Sequence, residues 1–185
     1  MKKGGGKNKG GSFERLISKK LSEWYSDGKR DDLFYRTQSS GGRFTIRNKQ
    51  GKITEGQDGD IGSSSHESIL FSSIFSIECK HYKELSLWSF VTGTKTGLTS
   101  FWEQTCNQAR ASSKIPILIA RENYKPILFI TDKIFAGKLL LEFMLRYRLS
   151  VHTFSELQDM HIYDFERDIL SLDVKIFKTM LKKVN

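Results

Sequence analysis

Asp60, Glu78 and Lys80 are the residues of this 185-residue chain whose types and spacing point most directly to chemistry. Glu78 and Lys80 stand two apart in the run Ser76-Ile77-Glu78-Cys79-Lys80, which reads as the end of a strand. Alternate side chains of a strand share a face, so the acid and the amine point together while Ile77 and Cys79 face the opposite layer. A carboxylate and an ammonium so placed want each other or a shared ligand. Asp60 arrives from the start of the preceding strand-like segment. If the two segments are neighbours, two acids and a lysine converge at one edge of a sheet. Two carboxylates form a hard oxygen site suited to Mg²⁺, with Mn²⁺ as a substitute. Such an ion lowers the pKa of a bound water and neutralises charge on a phosphate oxygen, and Lys80 orients that water or stabilises the transition state. The chemistry is phosphodiester hydrolysis. Glu-x-Lys by itself is equally well a strand-end salt bridge; the order of the surrounding elements favours the site.

Those elements are read as follows. Ser12 caps a helix whose apolar positions Phe13, Leu16, Ile17, Leu21, Trp24 and Tyr25 recur at helical spacing, and Asp27-Gly28 stops it. Residues 32–37 read as a strand, and Arg43 to Gly59 as a loop or exposed hairpin. Residues 68–80 form a β-rich run. Ser100-Phe101-Trp102-Glu103 has the capping-box pattern and opens a helix to about Ala111. Residues 115–120 and 126–131 are short strands joined by a tight turn, and Asp132 caps an apolar helix. The expected fold is α/β, a central mixed β-sheet flanked by helices. Residues 1–12 form a flexible Gly/Lys tail, 13–150 the core, and 151–185 a C-terminal extension packing on it.

Composition narrows the partners. Thirty Lys and Arg against twenty-one Asp and Glu give +9, and the four lysines of the tail account for the step from +9 to +5 when it is removed. A sequence pI near 9.5 favours a polyanionic partner, here DNA. An apolar fraction of 38% and a mean hydropathy of −0.42 suit a soluble domain, with no apolar run of membrane-spanning length and no secretory segment at the N-terminus. Two cysteines cannot build a disulfide framework, and the four histidines do not fall into a zinc spacing, so a reducing cytoplasm is expected.

The order helix, strand, Asp, strand with Glu-x-Lys, helix resembles the PD-(D/E)XK nuclease superfamily, and in particular its archaeal Holliday-junction-resolvase-like branch and phage-encoded relatives. The resemblance runs over about residues 12 to 131. It rests on Ser12-Phe13-Glu14-Arg15, Arg36 with Ser39-Ser40-Gly41-Gly42, Gly59-Asp60-Ile61, Ile77-Glu78-Cys79-Lys80-His81-Tyr82, and Gln104 with Gln108. It implies a restriction-endonuclease-like core and a Mg²⁺-dependent DNA endonuclease, working in the host cytoplasm if phage-encoded. Asp60 and Glu78 would be the metal carboxylates, with the Cys79 backbone carbonyl as a further ligand. Lys80 would be the catalytic lysine, and Glu14 the first-helix acid that completes or supports the site. Arg36, Ser40, Gln104 and Gln108 would face DNA, Ser40 beside the scissile phosphate. Junction resolution would further require a homodimer whose two sites address paired strands.

The sequence departs from the superfamily pattern at Gly59, where the family has Pro, and the interval from Asp60 to Glu78 is longer than in the compact form. Asp58 shares strand parity with Asp60, so the metal ligand is open between them; Ile61, as the chain enters the sheet, favours Asp60. Glu14 alternatively complements the positive end of the first helix, and Ser40-Gly41-Gly42 alternatively is a simple turn. Trp88 and Trp102 are expected in the core. Lys125, Lys133, Lys138, Arg146 and Arg148 are expected on a solvated face. Two other functions fit the same residues: a non-enzymatic nucleic-acid binder on a nuclease-like fold, and a restriction-type nuclease with residues 151–185 as its recognition segment.

Overall fold

A computed structural model describes residues 5–37, 59–85, 97–143, 149–151 and 160–184. Helix α1 (Gly5–Tyr25) places Phe13, Ile17, Leu21 and Tyr25 four apart on one buried stripe. It ends as expected: Asp27 and Gly28 take positive φ of 57° and 77°, and the Gly28 N–H donates back to the Glu23 carbonyl at 2.7 Å. Its start differs from the sequence reading. The helix begins at Gly5, well before Ser12, so most of the expected tail is helical. Tertiary contact outweighs the poor helix propensity of its glycines: Gly11 lies under the Arg36 guanidinium, and Lys9 donates to the Asn123 side chain at 2.5 Å.

Strands β1 (Phe34–Arg36) and β2 (Ile61–Ser63) form an antiparallel ribbon with Arg36 opposite Ile61. A short 3₁₀ turn, His66–Ser68, leads into helix α2 (Ile69–Ile74) and then strand β3 (Phe75–Tyr82). Half of the run expected to be β is therefore helical. Phe71 and Ile74, three apart, are the positions that turn inward, and Phe71 packs its ring 5.6 Å from Tyr25, 5.0 Å from Phe34 and 4.8 Å from Phe75. That aromatic cluster needs a helical turn to bring Phe71 back over Phe75, whatever the β preference of Ile and Phe.

Helix α3 (Gly97–Ala111), strands β4 (Ile115–Glu122) and β5 (Ile127–Thr131) and helix α4 (Lys133–Phe143) follow. Asp132 caps α4 as expected, accepting the Phe135 N–H at 2.8 Å. Strands β6 (Leu149–Val151) and β7 (Met160–Asp164) complete a five-stranded sheet of order β3-β4-β5-β7-β6. In that sheet β3 and β4 pair in parallel and the other described pairs are antiparallel, so the sheet is mixed. The fold is the mixed α/β core expected from sequence.

The sheet separates two cores through strand alternation. Ile117 and Ile119 of β4 face the layer of α1, while Leu118 and Ala120 face α3 with Leu98, Trp102 and Cys106. Trp102 is fully buried, as expected for a core residue. The segment after residue 150 packs on the core, as expected, and also supplies a strand to the sheet. β7 lies between β5 and β6, a π-helical turn (Phe165–Ile169) follows it, and helix α5 (Val174–Val184) buries Phe177, Met180 and Leu181 in the core shared with α1. The Trp24 indole N–H donates to the Leu172 carbonyl at 3.0 Å, and its ring meets Phe177 at 4.8 Å. The expected boundary at 150 cuts through β6. Mixed charge and short strands hid the sheet residues there, because Met160 to Tyr163 are buried on both faces and show no alternation.

Candidate functional site

β3 is an edge strand of the five-stranded sheet, and the site forms along its outer edge. Asp60 reaches that edge because Gly59 lets it. Gly59 has φ +124°, and a Cβ there would stand 2.6 Å from the Ile77 carbonyl oxygen and 3.0 Å from its nitrogen. Only glycine permits both the dihedral and the approach. The departure from the superfamily's proline thus has a local cause, since the proline ring locks φ at a negative value. The Asp60 N–H donates to the Ile77 carbonyl at 2.7 Å, and its carboxylate Oδ2 accepts the Cys79 N–H at 2.9 Å. On its other side the Thr37 N–H donates to the Asp60 carbonyl at 2.9 Å, and the Thr37 hydroxyl donates to the Gly59 carbonyl at 2.6 Å. Thr37, at the end of β1, is a support that sequence reasoning missed. Nothing in its type distinguishes it from a strand-end threonine.

Glu78 and Lys80 share the face toward α3, as strand parity requires. Lys80 Nζ donates to Glu78 Oε1, and the Gln104 side-chain amide donates to the same oxygen at 3.3 Å. Lys80 also passes over the Phe101 ring, 5.5 Å from its centroid. The carboxylates Asp60 and Glu78 are both 5% exposed. Burial first, and the Asp60 charge second, push the Glu78 carboxyl up to about 7 against the opposing pull of Lys80. Burial alone would lower Lys80, but the Glu78 charge and hydrogen bond outweigh it, so the ammonium is held above its ordinary value. Cys79 is buried, and burial with the neighbouring Asp60 charge pushes its thiol far up. That sulfur is no nucleophile; what Cys79 offers the edge is backbone.

Glu14 reaches the rim of this cluster from α1. Its Oε2 accepts from Arg36 Nε, and its charge adds in the same direction to the shifts of Glu78 and Cys79. A Cβ on Gly11 would lie 3.0 Å from an Arg36 guanidinium nitrogen, so the glycine gives that side chain its room. Arg36 remains 38% exposed at its side chain, a cation held at the rim by Glu14. Gln108 stands one helical turn beyond Gln104, and its side chain makes none of these contacts among the described residues. Ser40 and Asp58 lie outside the described residues, as do Trp88, Arg146 and Arg148. Among the described residues, Asp60 is therefore the acid that the structure brings to β3.

The donor set can be tested against a divalent cation. Among the described residues no three His, Cys, Asp or Glu side chains group as metal ligands. Two buried carboxylates and a backbone carbonyl are what the edge supplies. They carry more negative charge than one ammonium neutralises, and Asp60 raising Glu78 is the sign of it. This fits a hard divalent cation that keeps several waters rather than a fully protein-ligated ion.

A protein-family model described as "Phage putative PDDEXK endonuclease" matches residues 5–183. No curated protein and no solved structure matches the chain. No helix among the described residues is long and apolar enough to cross a membrane.

Proposed function

The chain belongs to the phage PDDEXK endonuclease family, and from that premise we propose that it is a divalent-metal-dependent DNA endonuclease whose site is the outer edge of β3. The observation that carries this reading is the convergence of Asp60 and Glu78, from separate segments of the chain, as buried carboxylates beside Lys80. A divalent cation bound there would neutralise charge building on the scissile phosphate and make a bound water acidic.

The chain's own residues then have separable tasks. Asp60 and Glu78 would hold the cation, together with the Cys79 carbonyl. The Cys79 N–H bond fixes the Asp60 carboxylate, and Gln104 fixes Glu78 from the α3 side. Lys80, charged and anchored on Glu78, carries its ammonium to the attacking water or to the oxygens that gain charge in the transition state. Arg36, held by Glu14, offers a guanidinium to a neighbouring phosphate. Ser40 and Gln108 are proposed only as DNA-facing positions, on the strength of the resemblance. Mg²⁺ is the proposed cofactor, with Mn²⁺ as substitute.

The test is cleavage of supercoiled plasmid and of a four-way junction by purified protein with Mg²⁺, Mn²⁺ or EDTA. Metal-dependent cleavage that falls by about 10²–10³ in Lys80→Ala is expected. No cleavage with either metal, or undiminished cleavage by Lys80→Ala, rejects the reading and leaves a non-enzymatic nucleic-acid binder. Junction selectivity, as in a resolvase, requires in addition a two-fold dimer in solution. Equal rates on plasmid and junction reject that finer assignment alone.

A further inference from the structure

A second polar cluster lies on the opposite face of the sheet from Glu78 and Lys80. His81 and Arg121 stand opposite each other where β3 and β4 pair in parallel. By strand alternation both face the α1 layer, and the His81 ring lies 5.2 Å from that of Phe13. Lys9, one turn ahead of Phe13 on α1, donates its ammonium to the Asn123 side-chain oxygen at 2.5 Å. The Asn123 N–H in turn donates to the Tyr82 carbonyl at 3.1 Å, tying the ends of the two strands together. Nε of Arg121 is buried and has no hydrogen-bond partner among the described residues.

This cluster has the make-up of an anion site. Two fixed cations, Lys9 and Arg121, lie close enough to act on His81. Lys9 reaches Asn123, which hydrogen-bonds His81, and Arg121 is in register with His81; among the described residues neither cation is paired with a carboxylate. Bringing cations together without an acid is unfavourable unless an anion is shared, and a buried guanidinium N–H without an acceptor calls for one. The ion pairs found elsewhere on the surface, such as Lys20 with Glu166, have their acids beside them. His81 directly follows Lys80 in β3, so the cluster sits at the same strand end as the candidate site, one residue on and across the sheet.

We propose that Lys9, Arg121 and Asn123 bind a backbone phosphate of DNA that lies against the end of β3, outside the scissile position. The inference rests on the nuclease reading for its ligand, and it assigns the expected "tail" lysine Lys9 a fixed place in the interface. Neutralising a phosphate with these cations makes the contribution electrostatic and independent of sequence.

The test is the affinity of the full chain for a short fluorescent duplex across a NaCl series in EDTA, read as the slope of log affinity against log salt. Lys9→Gln and Arg121→Gln are each expected to flatten the slope, and the double variant to flatten it by about 0.9 in all, while Arg121→Lys keeps it. An unchanged slope in folded Lys9→Gln overturns the proposal, and if Arg121→Gln fails to fold, Lys9→Gln decides alone. Because no metal is present, the outcomes separate from those for cleavage. Flattened slopes with no metal-dependent cleavage retain the phosphate subsite and reject the nuclease, whereas wild-type cleavage with unchanged slopes rejects only the subsite.

Discussion

Replacing Gly59 by alanine probes the contact on which the whole site turns. The backbone at Gly59 has φ +124°, and the new Cβ would start 2.6 Å from the Ile77 carbonyl oxygen, with the Ile77 carbonyl carbon also at 3.2 Å. A strained dihedral of this kind costs about 1–3 kcal/mol in a non-glycine residue, and overpacking against fixed backbone costs about as much again. Together they amount to roughly 2–6 kcal/mol, which in a domain of this size lowers the melting temperature by about 4–24 °C. The chain's other option is to lift Asp60 from β3. The Asp60 N–H then loses the Ile77 carbonyl and the Cys79 N–H loses its carboxylate. In that case stability is partly spared, but a displacement of about 1 Å at the proposed metal ligand is expected to cost about 10²-fold in cleavage. Thermal melts and plasmid cleavage of Gly59→Ala read the two costs side by side. A variant that melts with the wild type and cleaves at its rate would mean that neither the close approach nor the dihedral is real. Gly59→Pro, which restores the superfamily residue but forces φ to a negative value, is expected to do at least as much harm.

Three further outcomes follow from the geometry. In EDTA, Glu78 keeps its proton in the folded state up to about pH 7 while the unfolded chain releases it near the ordinary value of 4.5; stability is therefore full below that lower value and falls as pH rises through about 7, and urea melts of Glu78→Gln should lose this slope, whereas an identical pH profile in wild type and variant contradicts it. Cys79 and Cys106 are both buried with their thiols pushed up, Cys106 to about 12 by burial first, so a disulfide reagent under mildly alkaline conditions should titrate neither in the native protein and both in denaturant; rapid native labelling of either contradicts the packing. Removing residues 151–185 takes out β7 and α5 and should abolish the cooperative melt, while Phe177→Ala should cost about 3–5 kcal/mol; a truncated chain that melts cooperatively would show the segment to be dispensable to the core.

The parts of the fold and site that could be read from sequence are those set by local spacing. The stripe of Phe13, Ile17, Leu21 and Tyr25, the Asp27-Gly28 stop, the parity of Glu78 and Lys80, and the Asp132 cap each depend on residues within a turn or two of one another. What escaped depends on partners far along the chain. The early start of α1 relies on Arg36 and Asn123. The helix at Ile69–Ile74 relies on rings from α1, β1 and β3 that close over Phe71. β7 is covered on both faces, so the alternation that identifies a strand is missing. At the site itself, Asp60, Glu78, Lys80 and Gln104 come together as their order along the chain suggested. Glu14 reaches only the rim, through Arg36, because its carboxylate is engaged by that guanidinium. Gly59 looked like a departure from a motif and proved to be the residue that lets Asp60 touch β3.

The proposed site requires that Asp60 and Glu78 hold one divalent cation between them. Calorimetric titration of Mn²⁺ into the full chain, beside Asp60→Asn and Glu78→Gln, tests it without reference to any substrate. The claim predicts binding by the wild type that either single substitution abolishes or weakens by at least about tenfold, the effect of losing about 1.4 kcal/mol of ligand energy. Wild-type binding that survives both substitutions undiminished would place the cation elsewhere.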